Sequence, residues 1–247
     1  MSFGVLDGDG QVAQIEGHPF GQISFTGARY AQADVRLLSP ILPSKVVAVG
    51  KNYAAHVEEM KTGDAPKQPL LFLKPSTSVI GPGDAIRIPP GSTNVHHEVE
   101  LAVVIGARGA RNVTPEQAAA SIFGYTIAND VTERDMQNSD GQWTRAKGFD
   151  SFCPLGPWIE TDLDPQDFAD GVSIQTHLNG DLVQDGSTRD LIFDIPTLIA
   201  HITSAMTLLP GDVILTGTPA GVGPMKPGDE VAVTIEGIGT LTNRVSA

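Results

Sequence analysis

Apolar residues along the chain fall mostly into short runs of strand length separated by turn signals. Runs at Lys45 to Val49, Leu70 to Leu73, Val95 to Ile105, Ile122 to Asn129, Val172 to Leu178, Val213 to Leu215 and Glu230 to Glu236 predict strands. Asn179-Gly180 between two alternating runs predicts a tight hairpin, because both residues tolerate positive φ. Helices are fewer. Thr114-Pro115-Glu116-Gln117 combines a cap, a first-turn proline and a capping-box glutamine. Asp194 opens a second helix through about Met206, with Leu198, Ile199 and Ile202 on one face. Near the N-terminus, Phe3 to Leu6 and Gln22 to Phe25 are short strand-like runs between Asp-Gly and Gly-Ala turns, and Ser39 to Ser44 makes a stiff, proline-bearing connection. The pattern predicts a small β-rich segment over 1–42 and a mixed α/β, predominantly β domain over 43–247. Strand order is left open.

Composition narrows the function classes. The 247 residues suffice for a sizeable core, and the 27 Gly and 18 Pro are spread along the chain, which signals turns rather than disorder. With 16 Lys plus Arg against 29 Asp plus Glu, the formal charge is −13. Such a chain repels a phosphate backbone or an anionic leaflet, so neither a nucleic acid nor a membrane is an expected partner. The single cysteine, Cys153, excludes an intrachain disulfide; in Phe152-Cys153-Pro154 it reads better as a small buried hydrophobe than as a catalytic thiol. No signal-peptide pattern opens the chain, and the expected location is the cytoplasm.

The chemistry gathers where apolar runs meet carboxylates. In an extended segment Glu98 and Glu100 share a face, about 7 Å apart. The residues around them are apolar on both faces, which predicts burial on both. Two buried like charges are costly unless a cation neutralises them, and a hard divalent ion with oxygen ligands does so; the alternative is a pair of exposed glutamates at a strand end. Asp130, where the run Gly124 to Asn129 ends in polar residues, completes a three-carboxylate set that suits Mg2+ or Mn2+ better than Zn2+. His96 and His97 lack the helical His-Glu-x-x-His spacing of a zinc site. The loop Gly217 to Gly223 reads as an anion cradle of backbone N–H groups and lacks the Gly-Lys-Ser/Thr of a phosphate loop.

Taken together, Val49 to Met60, Pro69 to Pro75, His97 to Leu101, Asn129 to Gln137, Lys147 to Asp150 and Gly211 to Pro219 resemble the fumarylacetoacetate hydrolase family, in its order, across roughly residues 45 to 245. The resemblance implies a catalytic domain with a coiled, barrel-like sheet and peripheral helices, assembled as a homodimer. It implies metal ligands at Glu98, Glu100 and Asp130. In the short-chain subgroup a mobile helix carries a His–Glu pair, which falls here on His56 and Glu59; their spacing puts both on one helix face. Catalytic Lys147 and substrate-contacting Arg134, Gln137, Gly217 and Thr218 are implied likewise. The N-terminal segment is too short to match the larger N-terminal domain of the fumarylacetoacetate-cleaving enzymes, so another substrate is expected.

The expected reaction is Mg2+- or Mn2+-dependent carbon–carbon cleavage of a small anionic 2-oxo acid through a pyruvate enolate held on the ion and stabilised by Lys147. Acylpyruvate hydrolysis uses His56 and Glu59 to activate water; oxaloacetate decarboxylation needs no water. Isomerisation of 2-hydroxyhepta-2,4-diene-1,7-dioate is the enzymatic alternative, and a catalytically silent metal-binding homologue the non-enzymatic one.

Overall fold

The computed structural model describes residues 1–61 and 63–247. It divides into two compact units, Met1–Leu37 and Leu38–Ala247. In the first, Phe3–Leu6, Gln11–Ile15 and Phe25–Ala31 form an antiparallel three-stranded sheet. The run Gln22 to Phe25 therefore supplies only the first residue of its strand, which continues to Ala31.

The second unit is mixed α/β and mostly strand, built around a curled half-barrel sheet with few helices. Its seven-stranded sheet runs in the order Leu70–Lys74, Val46–Gly50, Val213–Leu215, Val99–Ile105, Ile122–Asn129, Cys153–Glu160, Val79–Ile80. The central strand Val99–Ile105 is buried at every position, as expected for a strand apolar on both faces. A five-stranded sheet orders Asp181–Ser187, Ser173–Leu178, Glu230–Ile235, Gly239–Ser246 and Ala85–Arg87. The core joins the two sheets: Leu101, Val103, Tyr125 and Ile127 cluster with Ile174, Val233, Ile235 and Leu241.

Local signals account for the boundaries. Asn179 and Gly180, at φ 54° and 90°, turn the hairpin between Ser173–Leu178 and Asp181–Ser187. The Thr114–Gln117 capping box forms and starts a short helix, Pro115–Ala118. Asp194 caps Ile195–Ala205 by accepting from the Thr197 N–H, and Leu198, Ile199 and Ile202 are buried. Among the described residues no helix is long and apolar enough to cross a membrane.

Candidate active site

The strand expected over Val95 to Ile105 is interrupted at Glu98. Val95–His97 pairs with Thr132–Glu133 and Gly223–Met225 in a small separate sheet, whereas Val99–Ile105 belongs to the large one. Two bonds close the break: the Glu98 N–H donates to Asn129 Oδ1 at 2.9 Å, and the Asp130 N–H donates to the Glu98 carbonyl at 2.8 Å. Glu98 thus leaves regular strand geometry at the point where Asp130 leaves the neighbouring strand. The three buried carboxylates Glu98, Glu100 and Asp130 converge, one oxygen of each lying within 4.8 Å of the others.

Three cations surround this floor, unevenly. Lys147 Nζ is 2.7 Å from Glu98 Oε2 and 2.5 Å from Asp130 Oδ2. Lys74 Nζ is 2.5 Å from Asp130 Oδ1, and Arg134 Nη2 is 2.5 Å from Glu98 Oε1. Burial alone would raise the Glu98 pKa, but Lys147 and Arg134 beside it reverse the sign and hold it below the usual carboxylate range. Glu100 differs. Its Oε2 accepts the Gly217 N–H at 2.6 Å, and no cation pairs with it among the described residues. Burial, then the Asp130 and Glu98 carboxylates, push its pKa well above the ordinary value. A buried carboxylate in that position takes either a proton or a cation, and an all-carboxylate donor set fits a hard divalent ion. Lys147 stays protonated: burial opposes its charge, but Asp130 and Glu98 outweigh that and raise its pKa.

Above the floor stands the helix Ala54–Met60. His56 is 8% exposed, and its Nδ1 lies 3.4 Å from Glu59 Oε2. Burial is the main cause that lowers the His56 pKa; Glu98 pulls the other way without reversing the direction, so the ring is held neutral. With Nδ1–H directed at the Glu59 carboxylate, Nε2 keeps its lone pair. Glu59 in turn accepts the Gly221 N–H, at 2.9 and 3.1 Å from its two oxygens.

The loop Gly217 to Gly223 therefore serves differently from the expected anion cradle. Two of its N–H groups are engaged by the protein's own carboxylates, Gly217 by Glu100 and Gly221 by Glu59. Gly217 stands at φ 105°, and a Cβ there would meet that of Asn52 at 2.8 Å, so backbone approaches closely only because no side chain intervenes. Thr218 borders the cleft directly.

The cleft, of about 200 Å³, is lined by His56, Glu98, Glu100, Asp130, Arg134, Gln137, Lys147 and Thr218 on its polar side. Every expected site residue except Glu59 and Gly217 borders it, and those two touch residues that do. Arg134 Nη1 donates to Gln137 Oε1 at 2.8 Å within the helix Arg134–Ser139, and its buried Nε has no partner among the described residues. Val49, Met60, Phe72 and Trp143 form an apolar wall. Trp143 sits edge-on to Phe72 with ring centroids 5.4 Å apart, and Lys147 Nζ lies 5.1 Å from the Phe72 ring centre.

Lys74, Phe72 and Trp143 have no part in the sequence-level site. Alternation in Leu70–Lys74 carries the signal for the first two: Phe72 and Lys74 share the buried face, and a lysine on that face requires an anionic partner. Cys153 is fully buried and its thiol is pushed up to about 12, mainly by burial, consistent with an inert packing role. Neither adjacent histidine borders the cleft: His96 bonds Asn94 and His97 bonds Gln184.

Comparison with known proteins gives these features a family. The crystal structure of 5-carboxymethyl-2-hydroxymuconate delta-isomerase from Mycobacterium smegmatis matches with a TM-score of 0.91 at 54% identity, covering 99% of this chain and 94% of that one. Human oxaloacetate tautomerase FAHD2A, a mitochondrial protein, is 42% identical over 87% of this chain and 70% of its own length. Fumarylpyruvate hydrolase from Pseudomonas aeruginosa, solved with Mn2+ and pyruvate, matches with a TM-score of 0.75 at 31% identity, covering 82% of this chain and 89% of that one. The Rv2993c-like, N-terminal family profile matches residues 1–40. The profile of the Fumarylacetoacetate (FAA) hydrolase C-terminal family matches residues 45–246, and the chain belongs to that family.

Proposed function

We propose that this chain is a divalent-cation-dependent enzyme of small 2-oxo diacids whose central step is proton transfer at the carbon beside the 2-oxo group. Keto–enol tautomerisation of oxaloacetate is the simplest such reaction, and double-bond migration in a hydroxy-dienedioate extends it. The observation that carries the reading is the neutral, buried His56, oriented by Glu59 and bordering the same cleft as three carboxylates and a protonated Lys147. The tautomerase and isomerase relatives support it.

Glu98, Glu100 and Asp130 would hold Mg2+ or Mn2+, which when bound supplies Lewis acidity toward the 2-oxo group. His56 removes the proton from the neighbouring carbon through Nε2, while Glu59 stabilises the imidazolium that forms. Lys147 places a fixed positive charge near the developing enolate oxygen. Arg134, Gln137 and Thr218 orient the carboxylates. Charge balance favours a diacid: three carboxylates and three cations offset one another at the floor, and Lys51 at the cleft offsets Glu59 behind His56, so a dication adds two positive charges that a dicarboxylate neutralises. The cleft volume lies below the ~300 Å³ at which pockets for drug-sized ligands begin, which suits a short-chain acid.

A second reading, carbon–carbon cleavage, is favoured by the same His56–Glu59 pair, since an oriented base can equally deprotonate water to attack an acylpyruvate. The fumarylpyruvate hydrolase relative supports it. The two readings separate in one assay. Enol oxaloacetate and acetylpyruvate are added in turn with Mg2+, ultraviolet absorbance of the enol is followed, and pyruvate is measured at the end. Mg2+-dependent equilibration of oxaloacetate without pyruvate is expected; stoichiometric pyruvate makes cleavage the activity; no effect on either substrate removes both readings. A homodimer is proposed as well, and sedimentation velocity at micromolar concentration checks it, a single monomer boundary counting against it.

A further inference from the structure

Gln184 lies in the strand Asp181–Ser187, is fully buried, and does not border the cleft. Its carboxamide makes five hydrogen bonds, and two of them fix which end is oxygen. The Val99 N–H can only donate and the Pro219 carbonyl can only accept; they lie 3.2 Å from Oε1 and 2.9 Å from Nε2. The other three directions then follow. The Thr176 hydroxyl donates to Oε1 at 2.8 Å and His97 Nδ1 donates to Oε1 at 3.0 Å. Gln184 Nε2 donates to Thr218 Oγ1 at 2.9 Å. The tautomer is self-consistent, because among the described residues no acceptor faces His97 Nε2 to take a proton from it.

Thr218 is the informative end of this network. With an amide N–H pointed at its oxygen, the Thr218 O–H cannot point back along that line, and no protein acceptor takes its proton among the described residues. Thr218 borders the cleft at 3% exposure, so its proton is available to a ligand. The other end of the same carboxamide grips residues on either side of Glu98, through the His97 ring and the Val99 backbone.

We infer that Gln184 is a positioning residue: it commits the Thr218 hydroxyl to donate into the cleft, toward a carboxylate of the bound 2-oxo acid, and fixes that donor relative to Glu98. This rests on the proposed function, since the ligand is the acid named there. A hydroxyl free to rotate would spend part of its time bonded elsewhere, and the orienting amide removes that freedom before the ligand arrives.

Oxalate, a stand-in for the head of a 2-oxo acid, tests the inference by calorimetry in the presence of Mg2+. Thr218→Val weakens oxalate about tenfold, the size of one hydrogen bond to a charged group, and Gln184→Met about fivefold, because the freed hydroxyl keeps part of that bond. The double variant binds no more weakly than Thr218→Val alone, because Gln184 acts on the ligand only through the bond that Thr218→Val removes. Thr218→Ser keeps wild-type affinity. In turnover, Gln184→Met raises KM and leaves kcat within about threefold. If Gln184→Met does not fold, Gln184→Asn takes its place; it keeps a carboxamide in the buried strand and draws it back from Thr218 by one methylene. A folded Gln184 variant that binds oxalate within twofold of wild type overturns the inference. So does one that weakens oxalate as much in the Thr218→Val background as in the native one. Wild-type protein that fails to bind oxalate with Mg2+ overturns the functional reading itself, a different pattern from wild-type binding with indifferent variants.

Discussion

Lys74 Nζ lies 2.5 Å from Asp130 Oδ1, and neither side chain is exposed to solvent. The lysine comes from an edge strand of the seven-stranded sheet, whereas the aspartate follows the end of another strand, so the pair ties the rim of the sheet to the floor of the cleft. Removing one member of a buried pair costs more than the pair itself contributes, because the survivor stays desolvated. Lys74→Met is expected to lower unfolding stability by about 3 kcal/mol, read from urea denaturation. An unchanged midpoint would show that Lys147 alone satisfies Asp130.

Glu100 provides a signature of the metal-free protein. Its folded pKa lies above its unfolded value, so the native state binds the extra proton. The resulting stability is present below the unfolded pKa and is lost as pH rises through the folded one. In chelator, the stability of wild type relative to Glu100→Gln is expected to fall with rising pH across that window, by up to about 1.4 kcal/mol per pH unit. Mg2+ should flatten the difference by replacing the proton. A constant difference between the two proteins in chelator would remove Glu100 as the titrating group.

His56 titrates in the opposite sense. Burial lowers its pKa, so it remains a competent base below the ordinary imidazole range. The acid limb of kcat/KM is therefore expected below about pH 6.5. Glu59→Gln removes a bond that raises the His56 pKa and should move that limb lower still. His56→Asn is expected to cost about 10²- to 10⁴-fold in kcat while oxalate binding persists. A limb that does not move in Glu59→Gln would detach Glu59 from the base.

Gly50 is defined by what rests on it. A Cβ at this position would stand 2.3 Å from Trp143 Cζ3 and 2.9 Å from Cη2, so Gly50→Ala must displace the indole that walls the cleft. A shift in tryptophan fluorescence and a rise in KM of about tenfold are expected, with little change in the urea midpoint. Wild-type KM with a displaced indole would show that the apolar wall does not contact substrate.

Much of the site is legible in the sequence, though not always for the reason first apparent. Glu98 and Glu100 announce themselves as alternate acids in an apolar run, yet the structure breaks that run at Glu98 and lets Asn129 and Asp130 hold the break. A periodicity argument cannot see a strand change sheets in mid-run. Lys74 is visible only once alternation places it beside Phe72 on a buried face. Gln184 carries no local signal at all: Val183-Gln184-Asp185-Gly186 reads as one arm of a hairpin, and its five partners come from two distant segments, His97 with Val99 and Thr218 with Pro219, and one cross-strand neighbour, Thr176. The glycine loop was legible as an anion holder, but its anions belong to the chain itself.

That loop has a mechanical meaning. By gripping Glu100 with Gly217 and Glu59 with Gly221, it acts as a common axle for the floor and for the helix above it. A change that draws Glu59 away from Gly221 frees an N–H of the same loop that holds Glu100. Substitutions that re-aim the base should therefore succeed only when accompanied by compensating changes at the floor, and this linkage restricts the routes by which the site could be adapted to a new acid.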